Sequence, residues 1–473
     1  MSGAALALAV LAAIARPDAQ ACTTVAVANA TTRRPPWEPW RAHEAAGVSW
    51  LKFGLDHRSR FEHLRNDFRE SHRGDSTAFS MRTLLTLELD LDPLVLGVEG
   101  KDSRAWTSAG TPVDTTHVDP LELLQAYVQL RGEDVVVVGD SLSITGGRIT
   151  MDFVNRRLVA RNEFRNTINA FAGLDVRWEG PRRAELRSFV VMPVVRLPSG
   201  AHSLRDNRIE FDRTNTDALL WGAQFVGAPV ADGIRLGAFV IGLHEQDSPI
   251  AASAERQLVT PGLRAYRSPE PGRVDFDVEV AGQFGRSRAS TEPDDREDLT
   301  HLAFGLHAST GYRFDTSWKP RMALMLDVGS GDRDPDDGRN GRFDTLFGAR
   351  RFDFGPTGFY GALARRNAVT PGWRLELEPH RRLDAFAAYR LLWLASAKDS
   401  WTTASLRDRD GTSGTFVGQQ IEGRVRVHFL PKNLALDLGG ALFVRGRFAR
   451  DAAEGGDPGA PAVYVYTQLT ATI

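Results

Sequence analysis

The sequence is poor in cysteine and in lysine. Cys22 is the one cysteine among 473 residues, which excludes an intramolecular disulfide and a cysteine-based metal site. Lysine occurs only at positions 52, 101, 319, 398 and 432, so these five leave 53 arginines among the 58 basic residues. Either codon bias or selection for planar, permanently charged groups that pair with carboxylates explains this excess.

The charges nearly balance, with 58 basic residues against 60 acidic residues and a formal net charge of −2. A general nucleic-acid-binding protein usually carries a net basic surface. The composition therefore argues against nucleic acid as a partner.

Long apolar runs are also scarce. After residue 21 no run approaches the ~20 residues that a transmembrane helix requires. The run from Ala4 to Ala15 is too short to span a bilayer, and Ala19-Gln20-Ala21 fits a small-x-small cleavage site. We therefore predict a signal peptide over residues 1–21, followed by an irregular, proline-containing lead segment over residues 22–47.

From Trp50 onward the dominant hydrophobic period is two. In runs such as Phe79–Asp90, Val274–Ser287 and Val417–Phe429, apolar side chains share one face and charged or amide side chains share the other. A soluble β-sandwich gives the same alternation. Run lengths of about ten residues or more, with charges deep inside the runs, favour a transmembrane barrel with a hydrated lumen. The sequence thus predicts an all-β protein, a transmembrane antiparallel β-barrel over residues 48–473.

The alternation assigns residues to two faces. The predicted lipid-facing set includes Leu87, Val278, Val417 and Val427, and the predicted lumen-facing set includes Glu88, Asp277 and Gln420. Residues 119–131 fit a short helix or a strand, and we favour the strand. Polar segments predict external loops over residues 107–119, 204–217, 247–271, 291–298, 331–341 and 399–415.

The stretch GGRITMDFVNRRLVARNEFRNT, which begins at Gly147, contains five arginines. Its alternation predicts a hairpin with a turn at residues 155–157 and with Ile149, Met151 and Phe153 on the outward face. The lumen face would then carry Arg148, Asp152, Arg161, Glu163 and Arg165. These charges would either form a ladder that stiffens the wall or offer guanidinium forks to an anionic solute, and the two interpretations are compatible.

Motifs that would indicate an enzyme or a metal site are weak. The acidic segment 331–343 has Asp332, Asp334 and Asp336 at alternate positions, but Asp337 and Phe343 break the EF-hand pattern, which predicts an acidic loop. The sequence contains no G-x-S-x-G elbow and no P-loop. We predict no cofactor, no metal site and no catalytic residue.

Several segments resemble the alginate export porins of the Gram-negative outer membrane. These are KDSRAW, GRITMDFVNRRLVARNEFRNTINAF, GDRDPDDGRNGRFDTLFGARRFDFG, WLASAKDSW, FVGQQIEGRVRVHF and LGGALFVRGRF, in this order along the chain. The resemblance implies an 18-stranded barrel with an arginine-rich constriction that passes an anionic uronate polymer. It also implies that Arg350 and Arg351 belong to an infolded loop. The predicted pore-lining and solute-binding residues are Arg82, Arg148, Asp152, Arg161, Glu163, Arg165, Arg350, Arg351, Arg374, Glu422, Arg424 and Arg426.

The function expected from this resemblance is a passive outer-membrane channel for anionic polysaccharide or oligosaccharide. A general diffusion porin, or a structural barrel without uronate selectivity, is the alternative, and a membrane-embedded hydrolase is a third interpretation. Expected partners are outer-membrane lipid, the barrel assembly machinery and periplasmic export proteins, with no nucleic acid.

Overall fold

The structure is a computed structural model of the chain. It describes residues 41, 44, 47–70, 72, 74–292, 294–430, 432–453 and 459–473. The predicted signal peptide and nearly all of the predicted lead segment lie outside these residues.

Strands dominate the described residues. In chain order the strands are β1 Leu51–Arg65, β2 Ser76–Asp90, β3 Leu94–Thr107, β4 Asp119–Glu133, β5 Ser141–Ile149, β6 Phe171–Glu179, β7 Glu185–Val195, β8 Arg213–Thr214, β9 Ala218–Val226, β10 Arg235–Glu245, β11 Gln257–Arg267, β12 Val274–Ser287, β13 Leu299–Arg313, β14 Arg321–Gly329, β15 Arg339–Asn340, β16 Ala368–His380, β17 Leu383–Trp393, β18 Phe416–Leu430, β19 Leu434–Arg445 and β20 Ala462–Thr472.

The long strands form a closed antiparallel ring. Each pairs with its neighbours along the chain, and β1 pairs with both β2 and β20, which closes the barrel. The two-residue strands β8 and β15 attach to β7 and β13 and lie outside the ring. The remaining 18 strands confirm the predicted fold class and strand number.

The two ends of the barrel differ. At one end, called the turn end, the connections are short, such as residues 91–93 and 381–382. The start of β1 and the end of β20 also lie at this end. At the other end, called the loop end, connections such as residues 150–170, 330–367 and 394–415 are long. This asymmetry is typical of outer-membrane barrels.

The wall has the predicted two faces. On β12, Val278 and Val280 are 39% and 44% exposed on the outer surface, whereas Asp275 and Gln283 are 2% and 0% exposed. Leu87 on β2 is likewise exposed. Charged side chains would be expensive against lipid, so an apolar outer face suits a barrel in a bilayer.

Helices are short. Among the described residues they include Ala201–Arg205, Arg351–Phe354 and Arg447–Asp451, together with the 3-10 turns Pro181–Arg183 and Ala231–Gly233. None of the described helices combines the length and the apolar character needed to cross a membrane.

Two loop-end connections fold into the barrel. We call residues 150–170 the first inner segment and residues 341–367 the second inner segment. They meet through a parallel bridge between Val159 and Phe347, and the Ala349 amide donates to the Arg156 carbonyl at 2.8 Å. Val159 is 0% exposed and packs in an apolar cluster with inward side chains of the wall, such as Phe239.

The first inner segment is also fastened to the opposite wall. The Asn166 side-chain amide donates to the carbonyls of Met81, Arg104 and His117 at 3.2, 3.0 and 2.8 Å. Because buried backbone carbonyls need donors, this one side chain fixes the segment against β2 and β3.

The structure corrects the predicted hairpin. The chain reverses at residues 155–157, between bridged Phe153 and Val159, but β5 ends at Ile149 and no return strand forms. Met151 and Phe153 are 2% and 1% exposed and pack inside the barrel instead of facing lipid. The apolar alternation continues past the strand because the inner segment has its own buried side.

The connections are partly as predicted. Residues 119–131 belong to β4, which confirms the strand interpretation. The external loop predicted over residues 247–271 is wrong, because it contains β11, a full wall strand that pairs with β10 and β12.

Candidate channel lining

A cavity of about 740 Å³ lies inside the barrel, and we call it the main cavity. It extends to the turn end, where Ser268 and Pro269 line it. Twelve arginines and eight carboxylate residues line it, which leaves four more positive than negative groups. The arginines are Arg58, Arg60, Arg82, Arg156, Arg157, Arg264, Arg267, Arg321, Arg351, Arg374, Arg424 and Arg426, and the carboxylates are Asp56, Asp152, Glu163, Asp275, Asp277, Asp353, Glu376 and Asp437.

Three of these arginines surround one aromatic ring on the wall. The guanidinium carbons of Arg374, Arg424 and Arg351 lie 3.8, 5.2 and 5.6 Å from the centroid of the Phe386 ring. The ring face attracts cations, so it holds three like charges near one another.

Each of the three also keeps a carboxylate partner. Arg351 Nη1 lies 2.6 Å from Glu422 Oε1, Arg374 Nε lies 2.7 Å from Glu376 Oε1, and Arg424 Nη2 donates to Asp384. Near them Arg426 Nη2 donates to Asp437 Oδ2 at 2.7 Å. The four arginines and their four carboxylate partners balance in charge, and the ion pairs hold the guanidinium groups in place while leaving some of their N–H donors free.

Arg157 joins both inner segments to the wall. It lies 3.0 Å from Asp277, 3.3 Å from Glu279 and 3.0 Å from Asp353, and its side chain is 5% exposed. Burial alone would raise the pKa of Asp353, but the positive charge of Arg157 outweighs it and the pKa is lowered to about 2. The carboxylate of Asp353 is therefore held ionised at neutral pH, and the ion pairs fix the short helix that carries it.

The predicted lining residues separate into three groups. Arg82, Asp152, Glu163, Arg351, Arg374, Arg424 and Arg426 line the main cavity, Arg165 and Arg350 line a different cavity at the loop end, and Arg148, Arg161 and Glu422 line neither. Arg350 and Arg351 are neighbours in sequence yet line different cavities. The start of the helix Arg351–Phe354 therefore lies between the two cavities.

The predicted grouping of Arg148 with Arg161 is not observed. Arg148 lies 3.1 Å from Glu122 and 3.1 Å from Asp212. Arg161 Nη2 lies 2.8 Å from Glu99 Oε1. Each is held in its own position, Arg148 by Glu122 of β4 and by Asp212 of a loop-end connection, and Arg161 by Glu99 of β3. A pore-lining role for either remains a prediction.

Sequence reasoning missed several lining arginines. Arg58 and Arg60 lie on β1, Arg321 lies on β14, and Arg264 lies on β11. The alternation along β1 places Arg58 and Arg60 on the same face as Asp56, so it would have predicted both as lumen-facing. Arg264 was missed because residues 247–271 were predicted to be a loop.

Two groups of described residues have the spacing to hold a metal ion. They are His307 with Asp327 and Asp353, and Asp119 with Glu122 and Asp212. Cationic side chains already fill both groups. Arg365 lies 2.6 Å from Asp327 and Arg390 lies 2.9 Å from it, while Lys101 pairs with Asp119 and Arg148 pairs with Glu122 and Asp212. We propose no metal at either place.

Comparison with protein families decides the identity of the barrel. The alginate export family matches residues 49–458. The chain belongs to the alginate export family. As a family member with a closed 18-stranded barrel, it is a channel of the Gram-negative outer membrane and not an enzyme. No curated protein sequence matches it.

Solved structures with a similar fold are outer-membrane barrels of low sequence identity. OccAB2 of Acinetobacter baumannii is 10% identical, with a TM-score of 0.57 over 89% of this family member and 98% of that chain. The outer membrane protein OprD of Pseudomonas aeruginosa is 11% identical, with a TM-score of 0.53 over 89% of this chain and 93% of that one. OccK11 of Pseudomonas aeruginosa is 12% identical, with a TM-score of 0.53 over 93% and 98% of the two chains. These likenesses concern the fold.

Proposed function

We propose that this family member is a passive channel for anionic saccharides of the alginate type. The observation that carries the proposal is the excess of twelve arginines over eight carboxylates among the residues that line the main cavity. Glu422, Asp384 and Glu279, which pair with three of these arginines, do not line it. An excess of fixed positive charge in a confined, partly desolvated space raises the local concentration of anions and disfavours cations.

The arrangement of ion pairs suits movement of a polymer. Arg374 and Arg424 are each paired with a carboxylate and are 20% and 18% exposed. A uronate carboxylate can accept hydrogen bonds from the free N–H groups of such a guanidinium, while the wall carboxylate keeps the guanidinium in place. Several weak sites in succession allow a bound chain to move on, because no single site holds it tightly.

A general diffusion porin without uronate preference is the main alternative. It predicts little charge preference and no block by an oligouronate. A membrane-embedded hydrolase lacks a supporting motif in the sequence, and the family is one of exporters.

The test is the reversal potential in a salt gradient across a planar bilayer, measured with and without an oligouronate. We expect the parent channel to prefer anions and to be blocked by the oligouronate. Changing Arg374, Arg424 and Arg426 together to Glu should shift the preference toward cations and abolish the block. Lys at the same positions should keep the anion preference but weaken the block, because the bidentate fork is lost.

The matched control changes Arg333, Arg339 and Arg409 to Glu. These exposed loop-end arginines line neither cavity, so the net charge changes equally but far from the cluster. The control should conduct and select like the parent. A parent channel without anion preference would favour the general porin, and an unchanged triple variant of the cluster would show that these arginines do not set selectivity.

A further inference from the structure

A second, smaller cavity lies among the loop-end connections. Its volume is about 480 Å³, within the range of ordinary small-ligand pockets, and we call it the loop cavity. Five arginines line it, together with one carboxylate residue, Asp114. The arginines are Arg69, Arg165, Arg196, Arg350 and Arg366.

Two of the five arginines have carboxylate partners. Arg69 lies 2.9 Å from Asp67, and Arg366 lies 3.0 Å from Asp344. The one lining carboxylate, Asp114, lies 2.9 Å from His117 Nδ1. It therefore has a partner of its own outside the arginines.

The other three arginines pair with no carboxylate among the described residues. Arg196 donates to the Thr115 carbonyl at 2.9 Å and to Asn169 Oδ1 at 2.7 Å. Arg350 donates only to backbone carbonyls, at 3.3 and 3.4 Å. The guanidinium of Arg165 makes no hydrogen bond or ion pair within the described part of the chain.

This arrangement places five positive charges together, and Asp114 is the one lining carboxylate that offsets them. Burial and the nearby charge of Arg165 lower the pKa of Arg350 to about 9. Burial and Arg196 lower the pKa of Arg165 to about 10. The cationic forms are thus held at a cost that an added anion would relieve.

We propose that the loop cavity is a binding site for a compact oxyanion, with Arg165 and Arg350 as its principal donors. The shared chemistry is a planar or tetrahedral oxygen cluster, either the carboxylate of a uronate residue or a free inorganic oxyanion. Guanidinium forks match both geometries and donate charge-assisted hydrogen bonds to them.

The contrast with the main cavity assigns the two sites different roles. Conduction requires binding that is weak enough for release. In the main cavity wall carboxylates pair with the arginines and compete with the solute, whereas in the loop cavity Arg165, Arg196 and Arg350 form no ion pair with a described carboxylate. The loop cavity is therefore expected to hold an anion more tightly than the main cavity does.

The experiment measures binding directly, by isothermal titration calorimetry of the full chain in detergent. Inorganic phosphate and a trimeric uronate are titrated separately. Arg165→Gln should weaken binding about tenfold, because one charge-assisted donor is lost, and Arg165→Lys should retain part of the affinity. The guanidinium of Arg165 makes no hydrogen bond and no ion pair within the described residues. Its substitution should therefore leave the barrel folded, as judged by unchanged heat-modifiable migration in gel electrophoresis.

Arg208→Gln is the matched control, because this side chain is 64% exposed at the loop end and lines neither cavity. It should bind like the parent. Binding of phosphate that Arg165→Gln weakens supports a free-oxyanion site, and binding of the uronate alone that Arg165→Gln weakens supports a polymer subsite. Failure of both probes to bind the parent, or equal binding by Arg165→Gln, overturns the proposal.

The inference extends the proposed function to a second site, but the two can fail separately. An anion-selective channel that binds neither probe overturns only the loop-cavity site. Binding that depends on Arg165 in a channel without anion preference overturns only the proposed transport of anionic saccharide.

Discussion

The side chain of Arg157 forms three ion pairs that join both inner segments to the barrel wall. Its three carboxylate partners come from β12 and from the second inner segment, while Arg157 itself belongs to the first. Arg157→Ala leaves Asp277, Glu279 and Asp353 without this buried counter-charge. We expect the free energy of unfolding to fall by about 3–5 kcal/mol, the usual cost of breaking a buried ion pair. Urea titration of the barrel folded in detergent micelles measures the change.

Arg177 provides the control at the same scale. It pairs with Asp175 at 2.7 Å, but its side chain is 52% exposed. Arg177→Ala should cost at most about 1 kcal/mol, because exposed ion pairs contribute little. Similar losses for the two variants would contradict the view that Arg157 joins the inner segments to the wall.

At the scale of a strand, β13 offers neighbouring residues of similar size on opposite faces. Ala308 pairs with Val278, which is exposed on the outer surface, and Ser309 lines the main cavity opposite Asp277. Ala308→Arg should cost about 2–4 kcal/mol near the bilayer midplane. Ser309→Arg should cost less, because the new charge enters the cavity and not the lipid. Unfolding titrations in lipid vesicles compare the two, and equal costs would show that the faces are assigned wrongly.

The structure also revises which inner-face substitutions are harmless. The sequence assigns Asp277 and Gln420 to the lumen, and a lumen-facing position alone would be expected to tolerate Arg. However, Asp277 pairs with Arg157 and Arg264, and the Gln420 side chain accepts from the Tyr360 hydroxyl at 2.7 Å. Both contact other side chains inside the barrel, so we now expect Arg to be destabilising at these two positions.

The alternation of apolar and polar residues predicts which face most wall side chains occupy. It fails where a bulge shifts the alternation within a strand. Gly418 has φ of 153°, and Val417 is skipped between the pairs Leu392–Gly418 and Trp393–Phe416. This bulge turns Val417 inward, where it is 0% exposed, although the sequence assigns it to lipid. A glycine in a strand hints at a bulge, but it does not say on which side of the glycine the extra residue lies.

The candidate site is less predictable than the wall, for a physical reason. Arg351, Arg374 and Arg424 come from the second inner segment, β16 and β18, and only the closed ring brings them to Phe386. Residues 150–170 have the same alternation as a strand because they bury one side against the barrel interior. Local sequence pattern does not distinguish that burial from contact with lipid.

At the scale of the whole molecule, the proposed attraction for anions should depend on salt. The Debye length falls from about 10 Å at 0.1 M to about 3 Å at 1 M ionic strength. Block of single channels by an oligouronate should therefore weaken strongly over this range, because Arg374, Arg424 and Arg426 are partly exposed. A neutral oligosaccharide of equal length should show no such change. Block that is independent of salt would contradict an electrostatic origin.

The pairing of β1 with β20 also determines when the barrel can form during biosynthesis. Asp56 pairs with Thr472 across this seam, so the ring closes only after translation has reached the last strand. A chain cut short by a premature stop codon before Ala462 would leave β1 and β19 with unpaired backbone edges, which lipid cannot satisfy. A stop codon just before Ala462 should therefore abolish barrel assembly, even though β20 contributes only eleven residues of the wall.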